Sequence, residues 1–442
     1  MSFGNTTTRI IDPVVQTSRR CEFRLVQDSA YLSNMRLLGV GATTSQAGDV
    51  AYNALVGALG VIKSIALFDG SQLLEQLNNA QILLAYKANH SRNDENISLA
   101  RKLNVNNQGY VASGKYLIAA NQFQFTNIKV KPDIANSNDK TKTSHVSLRD
   151  LFSFLRESMV LPTNVFRQLR LVIEYQDTAF IKQNVWYKND GTNELPSQDA
   201  LLVVEEVNDG EVKDKIMSDY QGVSFTPLET DQLLLPATAN GVDSVSGSQV
   251  EQNKSFLAHG FNNKYLNRLL LWKQPTDAST FQNGADNSGY MGFASIPNWR
   301  ESFQCRVNGG NVLAGNGIAG SSSGLTPTAN NSQGGSSKNR ALRKLTDAWG
   351  TFNVVPAQNF VNTTDRTKQT DMHGMGQLSV VGLRVDQMVQ ELQIQYGRFG
   401  VYNNAGTNTN KIQTQAENLV LVGEVRKAVI MNSDGTYNVV YN

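Results

Sequence analysis

The sequence predicts an all-β protein built as two tandem β-sandwich domains with long loops and a few short helices. Three observations carry this expectation. First, one passage occurs twice, half a chain apart. Leu171-Val172-Ile173-Glu174-Tyr175 and Leu392-Gln393-Ile394-Gln395-Tyr396 both read L-x-I-x-Y, and Tyr187–Asn193 and Tyr402–Asn408 both read Y-x-N-x-G-T-N. Leu201-Leu202-Val203-Val204-Glu205-Glu206-Val207 then returns as Leu419-Val420-Leu421-Val422-Gly423-Glu424-Val425. The offsets are 221, 215 and 218 residues in a chain of 442. Three matches in one order at nearly one offset argue for two copies of a domain of about 210 residues. Second, short β-branched or alternating apolar runs recur between Gly, Asn and Pro turns. Third, strands and helices do not alternate regularly, which argues against a doubly wound α/β sheet.

Residues 1–20 are polar, end in Ser18-Arg19-Arg20, and read as an N-terminal arm. A first domain, 21–212, opens with the β-type runs Phe23–Val26 and Met35–Leu38. Val61–Phe68 is a strand that stops at the turn dipeptide Asp69-Gly70. A helix is expected next, with Ser71 as N-cap and Leu73, Leu74, Leu77, Ala80, Leu83 and Leu84 on one face. It fades into the polar stretch Asn89–Asn96, followed by strand-like Tyr116–Ile118 and Phe123–Phe125. A shorter helix begins at the capping box Ser147-Leu148-Arg149-Asp150, buries Leu151, Phe152 and Leu155, and ends before Pro162. The first copy of the repeat follows as two strands around a hairpin tipped by Asn189-Asp190-Gly191. Residues 208–222 read as the connection between domains.

The second domain, 213–442, repeats the plan with longer loops. Tyr265–Trp272 is a strand comparable with 61–68. Residues 306–340 are rich in Gly, Ser and Asn and form a long loop. A short helix, Ala341–Trp349, is closed by Gly350, and the second copy of the repeat ends the chain. Domains of this size exceed immunoglobulin-like units, so the surplus lies between strands, as in jelly rolls carrying insertions.

Composition narrows the function classes. Charge is balanced, 40 basic against 38 acidic residues, so no net field draws the chain to nucleic acid or an anionic membrane. Charged residues make up only 18%, which suits ordered polar loops and wet protein contacts. Cys21 and Cys305 form no C-x-x-C pair, which argues against a disulfide scaffold or structural zinc. Met1–Pro13 lacks the apolar core of a signal peptide, and no run approaches the length of a membrane span; synthesis in the cytoplasm is expected.

No motif amounts to an active site, and no catalytic, cofactor-binding or metal-binding residue is nominated. Gly315-Asn316-Gly317-Ile318-Ala319-Gly320 spells a dinucleotide fingerprint, but Ser321-Ser322-Ser323-Gly324 cannot start the helix that would meet a pyrophosphate. Gly320–Gly324 spells G-x-S-x-G without the strand-to-helix elbow. His90, His145, His259 and His373 stand apart and read as structural residues. Glu205-Glu206 and Asp209 read as a solvated strand edge that discourages aberrant pairing. Lys338, Arg340, Arg343 and Lys344 form the densest basic patch; without interleaved aromatics it reads as an exposed helix face or subunit contact rather than a nucleic-acid site. The triplets Asn96-Ile97-Ser98 and Asn362-Thr363-Thr364 read as chance matches to a glycosylation signal.

Several segments resemble the double jelly-roll major capsid proteins of icosahedral dsDNA viruses, of polinton-like virus, adintovirus and virophage type. They are Tyr52-Asn53 with Gly57, Val61–Ile65, Asp69-Gly70, the Leu73/Leu74/Leu77 stretch to Leu84-Ala85-Tyr86-Lys87, and Leu148–Leu155 leading through Leu161-Pro162 to Leu169–Tyr175. The resemblance implies two upright jelly rolls per chain, a homotrimer forming a pseudo-hexagonal capsomer, and a tiled shell in the virion. It further implies contacts with neighbouring capsomers and with penton and minor or cement proteins, and leaves room for an underlying membrane or scaffold. Segments 306–340 and 236–256 would be outer or inter-subunit loops, and arm 1–20 would reach under neighbouring capsomers. The front halves of the two domains show little mutual similarity, so the duplication is read from the last strands. The alternatives are a minor capsid protein and a glycan- or receptor-binding jelly-roll protein, in which Trp186 or Trp299 would stack on sugars. A glycoside hydrolase would need two converging carboxylates, and the sequence offers no such pair.

Overall fold

The computed structural model describes residues 5–25, 31–40, 42–44, 51–52, 61–78, 145–177, 186–187, 194–196, 200–235, 250–275, 301–313, 318–319, 344, 347–348, 381–400 and 417–442. Its principal strands, in chain order, begin with β1 (Thr6–Ile11), β2 (Arg20–Arg24), β3 (Tyr31–Leu38), β4 (Ile62–Asp69) and β5 (Gln72–Asn78). They continue with β6 (Leu161–Pro162), β7 (Leu169–Tyr175), β8 (Leu201–Val207), β9 (Gly222–Phe225) and β10 (Leu228–Leu235). Next come β11 (Val250–Leu257), β12 (Lys264–Pro275), β13 (Glu301–Val307), β14 (Gly310–Asn311) and β15 (Val381–Val389). The last are β16 (Leu392–Gly400), β17 (Glu417–Val425), β18 (Lys427–Met431) and β19 (Tyr437–Tyr441). The principal helices among the described residues are α1 (Leu148–Leu151), α2 (Ser153–Glu157) and α3 (Gly210–Asp219).

These elements fall into two compact units. One holds the described residues up to Glu229 together with Val425–Asn442, and the other runs from Thr230 to Glu424. In the first unit one sheet has the order β1-β8-β3-β6, and the other places Val15–Gln16 beside β2-β7-β4-β5. In the second unit the orders are β10-β17-β12-β15 and β11-β16-β13-β14. Strand for strand, β1–β8 correspond to β10–β17. Eight strands divided in this order between two antiparallel sheets make a jelly roll, and the chain contains it twice. The duplication that sequence shows only in the last strands therefore extends through the whole topology.

The repeated residues have matching places. Leu171, Ile173 and Tyr175 of β7 are buried, as are Leu392, Ile394 and Tyr396 of β16. Each triplet is the inward set of a strand whose side chains alternate between faces. Ile173 lies opposite Cys21 on β2, and Ile394 lies opposite Cys305 on β13. Both thiols are free and buried, and burial pushes them up to about 11 and about 12, so they pack as small apolar groups.

Several expectations are corrected. The helix expected from Ser71 is the strand β5. Gly70, at φ +58°, lets the chain turn back on β4, with Asp69 opposite Gln72. Leu67 then pairs with Glu75 and Phe68 with Leu73, so Leu74 is the extra residue of a bulge. The bulge buries both Leu74 and Leu77, three residues apart, and so imitates a helical stripe. Residues 79–84 of that expected helix, the polar stretch 89–96 and the strand-like pieces at 116–118 and 123–125 lie outside the described residues.

The segment read as an N-terminal arm contains β1, which pairs with β8 from Thr6↔Val207 to Ile11↔Leu202. The stretch read as an interdomain connection contains α3, capped by Asp209, whose carboxylate accepts from Val212 N at 3.3 Å. Val212 and Ile216 of α3 pack on Tyr31, Val160 and Val207, so this helix belongs to the first unit. The expected boundary at 212/213 differs from the division at Glu229/Thr230. The chain's last strands also belong to the first unit, not to the roll that precedes them in sequence. Residues 250–256, expected as loop, lie in β11, and Ile318–Ala319 within 306–340 pair with Ser302–Phe303. The rest of 306–340 beyond residue 313, the hairpin tip 189–191 and its counterpart 402–408 lie outside the described residues. The capping-box helix starts as expected, with Ser147 Oγ accepting from Arg149 N, but it breaks at Phe152 and resumes as α2.

Candidate functional site

Among the described residues no group of three or more His, Cys, Asp or Glu side chains is placed to hold a metal. His259 sits in a 3-10 turn beside Asn262, His145 begins a short strand, and His90 and His373 lie outside the described residues. Ile318 and Ala319, within the nominal dinucleotide fingerprint, are strand rather than a turn into a helix. The G-x-S-x-G stretch, Lys338, Arg340, Arg343, Trp299 and both Asn-x-Ser/Thr triplets lie outside the described residues, while Lys344 is helical and half-buried.

Glu206 is not on a solvated edge. β8 runs between β1 and β3, Glu206 is 7% exposed, and it pairs with Arg9 of β1 at 2.8 Å. Its repeat partner Glu424 is likewise buried. It accepts from Arg268 Nε at 2.8 Å and from Asn267 Nδ2 at 3.1 Å. Each roll thus uses the glutamate of the repeated passage in an ion pair to a neighbouring strand.

The most elaborate polar constellation lies in the first unit, where the C-terminal hairpin β18–β19 meets β5, α2 and β9. α2 starts without a side-chain cap, because its N-cap residue is Phe152. The missing acceptor comes from β5. Glu75 accepts from Ser153 N at 3.0 Å, from Phe154 N at 2.8 Å and from Ser153 Oγ at 3.0 Å. Those are the first free N–H groups of the helix, which would otherwise be buried without partners. Burial pushes the Glu75 carboxyl up to about 7; the Phe154 and Ser153 donors and the charge of Lys427 pull it back down. Lys427 of β18 is itself buried and donates to the carbonyl of Leu74, the bulged residue, at 3.3 Å. Its ammonium lies 4.9 Å from the centre of the Tyr441 ring.

Two further bonds fix the hairpin. Tyr437 donates to Asp69 Oδ2 at 2.7 Å, and Tyr441 donates to Glu229 Oε1 at 2.7 Å. The other Asp69 oxygen accepts from Gln168 N at 2.6 Å. Beneath them Phe154 packs edge-on against Phe166 and Phe225, and Phe166 in turn meets Tyr220 and Tyr437. Nothing in the sequence marked this site. Its parts come from four separated segments, and only the tertiary fold brings them together. The arrangement holds strands of the first unit together.

Two rolls of eight strands in one chain define the double jelly roll. No protein-family model matches the sequence, and no curated protein matches it. Solved structures match along nearly the whole chain. PBCV-1 VP54, in the crystal structure fitted into a cryo-EM reconstruction of the virophage Sputnik, is 11% identical with a TM-score of 0.55. That match covers 100% of this chain and 98% of the other. The Faustovirus major capsid protein is 8% identical with a TM-score of 0.52, covering 97% of this chain and 90% of that one. The mavirus major capsid protein is 9% identical with a TM-score of 0.51, covering 98% and 90%. At these identities the likeness is one of fold, and the fold is the double jelly roll.

Proposed function

We propose that this protein is the major capsid protein of an icosahedral dsDNA virus. It would assemble as a homotrimer whose six rolls form a pseudo-hexagonal capsomer, and such capsomers would tile the virion shell. The observation that carries this reading is the full-length likeness to capsid proteins, which takes in both rolls together. A function of this kind is geometric, and it accords with polar constellations that are used up in holding strands. The near-neutral charge suits like subunits that must stand side by side. Neighbouring capsomers, pentons and minor or cement proteins are the partners this role requires, and no sequence-specific nucleic-acid contact or enzymatic step belongs to it. Synthesis would take place in the host cytoplasm and the mature protein would reside in the capsid.

The test is the solution mass by light scattering across a concentration series. A closed threefold assembly gives one discrete species of three times 48.6 kDa, about 146 kDa, already present at low concentration. A clean monomer at every concentration would contradict a self-sufficient capsomer. It would favour a minor capsid protein or a glycan- or receptor-binding role.

A further inference from the structure

We propose that the hairpin β18–β19 is a closing clasp: the aromatic core of the first roll completes its packing only when this hairpin, which follows the second roll in sequence, docks on it. The hairpin is built to form by itself. Asn432 N donates to Thr436 O at 2.8 Å, and Gly435 turns the chain at φ +79°. Asp434 Oδ1 accepts from Thr436 N at 2.9 Å and from Thr436 Oγ1 at 2.6 Å.

Its seat is equally specific and lies far upstream in sequence. β9 pairs with β18 from Gly222↔Ile430 to Phe225↔Lys427. At Gly222, φ is +117°, and a Cβ there would stand 2.0 Å from Val429 O, so the two backbones meet in a way open only to glycine. The carbonyl of the bulged Leu74 is taken by Lys427, and Asp69 by Tyr437. Val429 joins the main core of the first unit, with Tyr437 and Val439 packed against it.

The chain imposes an order. The seat is complete in sequence at Phe225, but its occupant begins at Lys427, and Arg426 alone separates β17 from β18. A chain extending only to β17 therefore has Phe166 without Tyr437 and Phe225 without its partner strand. Synthesis of the hairpin after the second roll then controls when the first roll becomes rigid enough to assemble.

Pulsed hydrogen exchange during refolding of the full chain tests this. The expected result is one late phase shared by the β18–β19 amides and those of Phe152, Arg156 and Ser158, after β4 and β7 are already protected. Protection of Phe152–Ser158 before the hairpin would overturn it. In the native protein, Gly222→Ala is expected to raise exchange of both segments together by about tenfold or more. Tyr437→Phe, which removes only the bond to Asp69, does the same to a smaller extent and decides the matter if Gly222→Ala fails to fold. Faster exchange in the hairpin with Phe152–Ser158 unchanged in Tyr437→Phe would also overturn the proposal.

Discussion

Glu75→Ala is expected to destabilise the first roll by about 3 kcal/mol or more at pH 5, because it strands two buried N–H groups and a buried hydroxyl. The acceptor cannot be replaced locally, since the residue preceding α2 is Phe152. Glu75→Gln keeps one carbonyl oxygen for those donors and is expected to cost about 1 kcal/mol. Urea unfolding followed by circular dichroism measures both.

The same carboxyl sets a pH dependence whose sign follows from its environment. Its folded pKa is about 7 against an ordinary value of 4.5, and burial is the chief cause. The stability it lends is fully present below about pH 4.5 and is lost as pH rises through about 7, since the unfolded chain gives up the proton first. The wild type is therefore expected to lose on the order of 3 kcal/mol between pH 4.5 and pH 8 relative to Glu75→Gln. Parallel stability profiles for the two proteins over that range would contradict this assignment.

The second large effect lies in the second roll. Gly423→Ala is expected to destabilise it by about 2 to 3 kcal/mol through overpacking, with a matching fall in Tm. A Cβ at this position would lie 2.3 Å from Phe261 Cε1 and 2.7 Å from Leu266 Cδ1, and both side chains are fully buried. Phe261 thus packs on bare backbone, and an added methyl would have to displace a buried ring and a buried leucine. Gly210→Ala is the control. It stands at the start of α3 with nothing within 4 Å of its Cβ, and the change is expected to stabilise by about 0.5 kcal/mol. Thermal unfolding that left Gly423→Ala unchanged would mean that this core is looser than its contacts indicate.

Gly423 also shows what a sequence repeat can reveal. It stands where the first copy has Glu205, a half-buried residue. In β17 the whole run from Leu419 to Val425 is buried, so both faces of this strand are covered, and the glycine marks the closest approach. The strands of the repeat were legible because their inward residues alternate and their flanks carry turn formers. β5 was misread because a bulge places Leu74 and Leu77 at helical spacing. The matching front halves were invisible because a jelly roll needs only apolar alternation at those positions, not particular side chains. Glu206 was misread because a strand's neighbours are not written in its own sequence, and Arg9 lies at the opposite end of the first roll's chain. The return of the C-terminal hairpin to the first unit was illegible for the same reason. Its pairing with Gly222–Phe225 spans the entire second roll, and only Gly222 hints at the backbone contact.

The proposed capsomer combines two rolls from each of three chains. Single-particle electron cryo-microscopy of the purified oligomer tests it most directly. The predicted result is a threefold particle with a pseudo-hexagonal outline, containing six jelly rolls. A particle of any other symmetry, or a lone double roll, would contradict it.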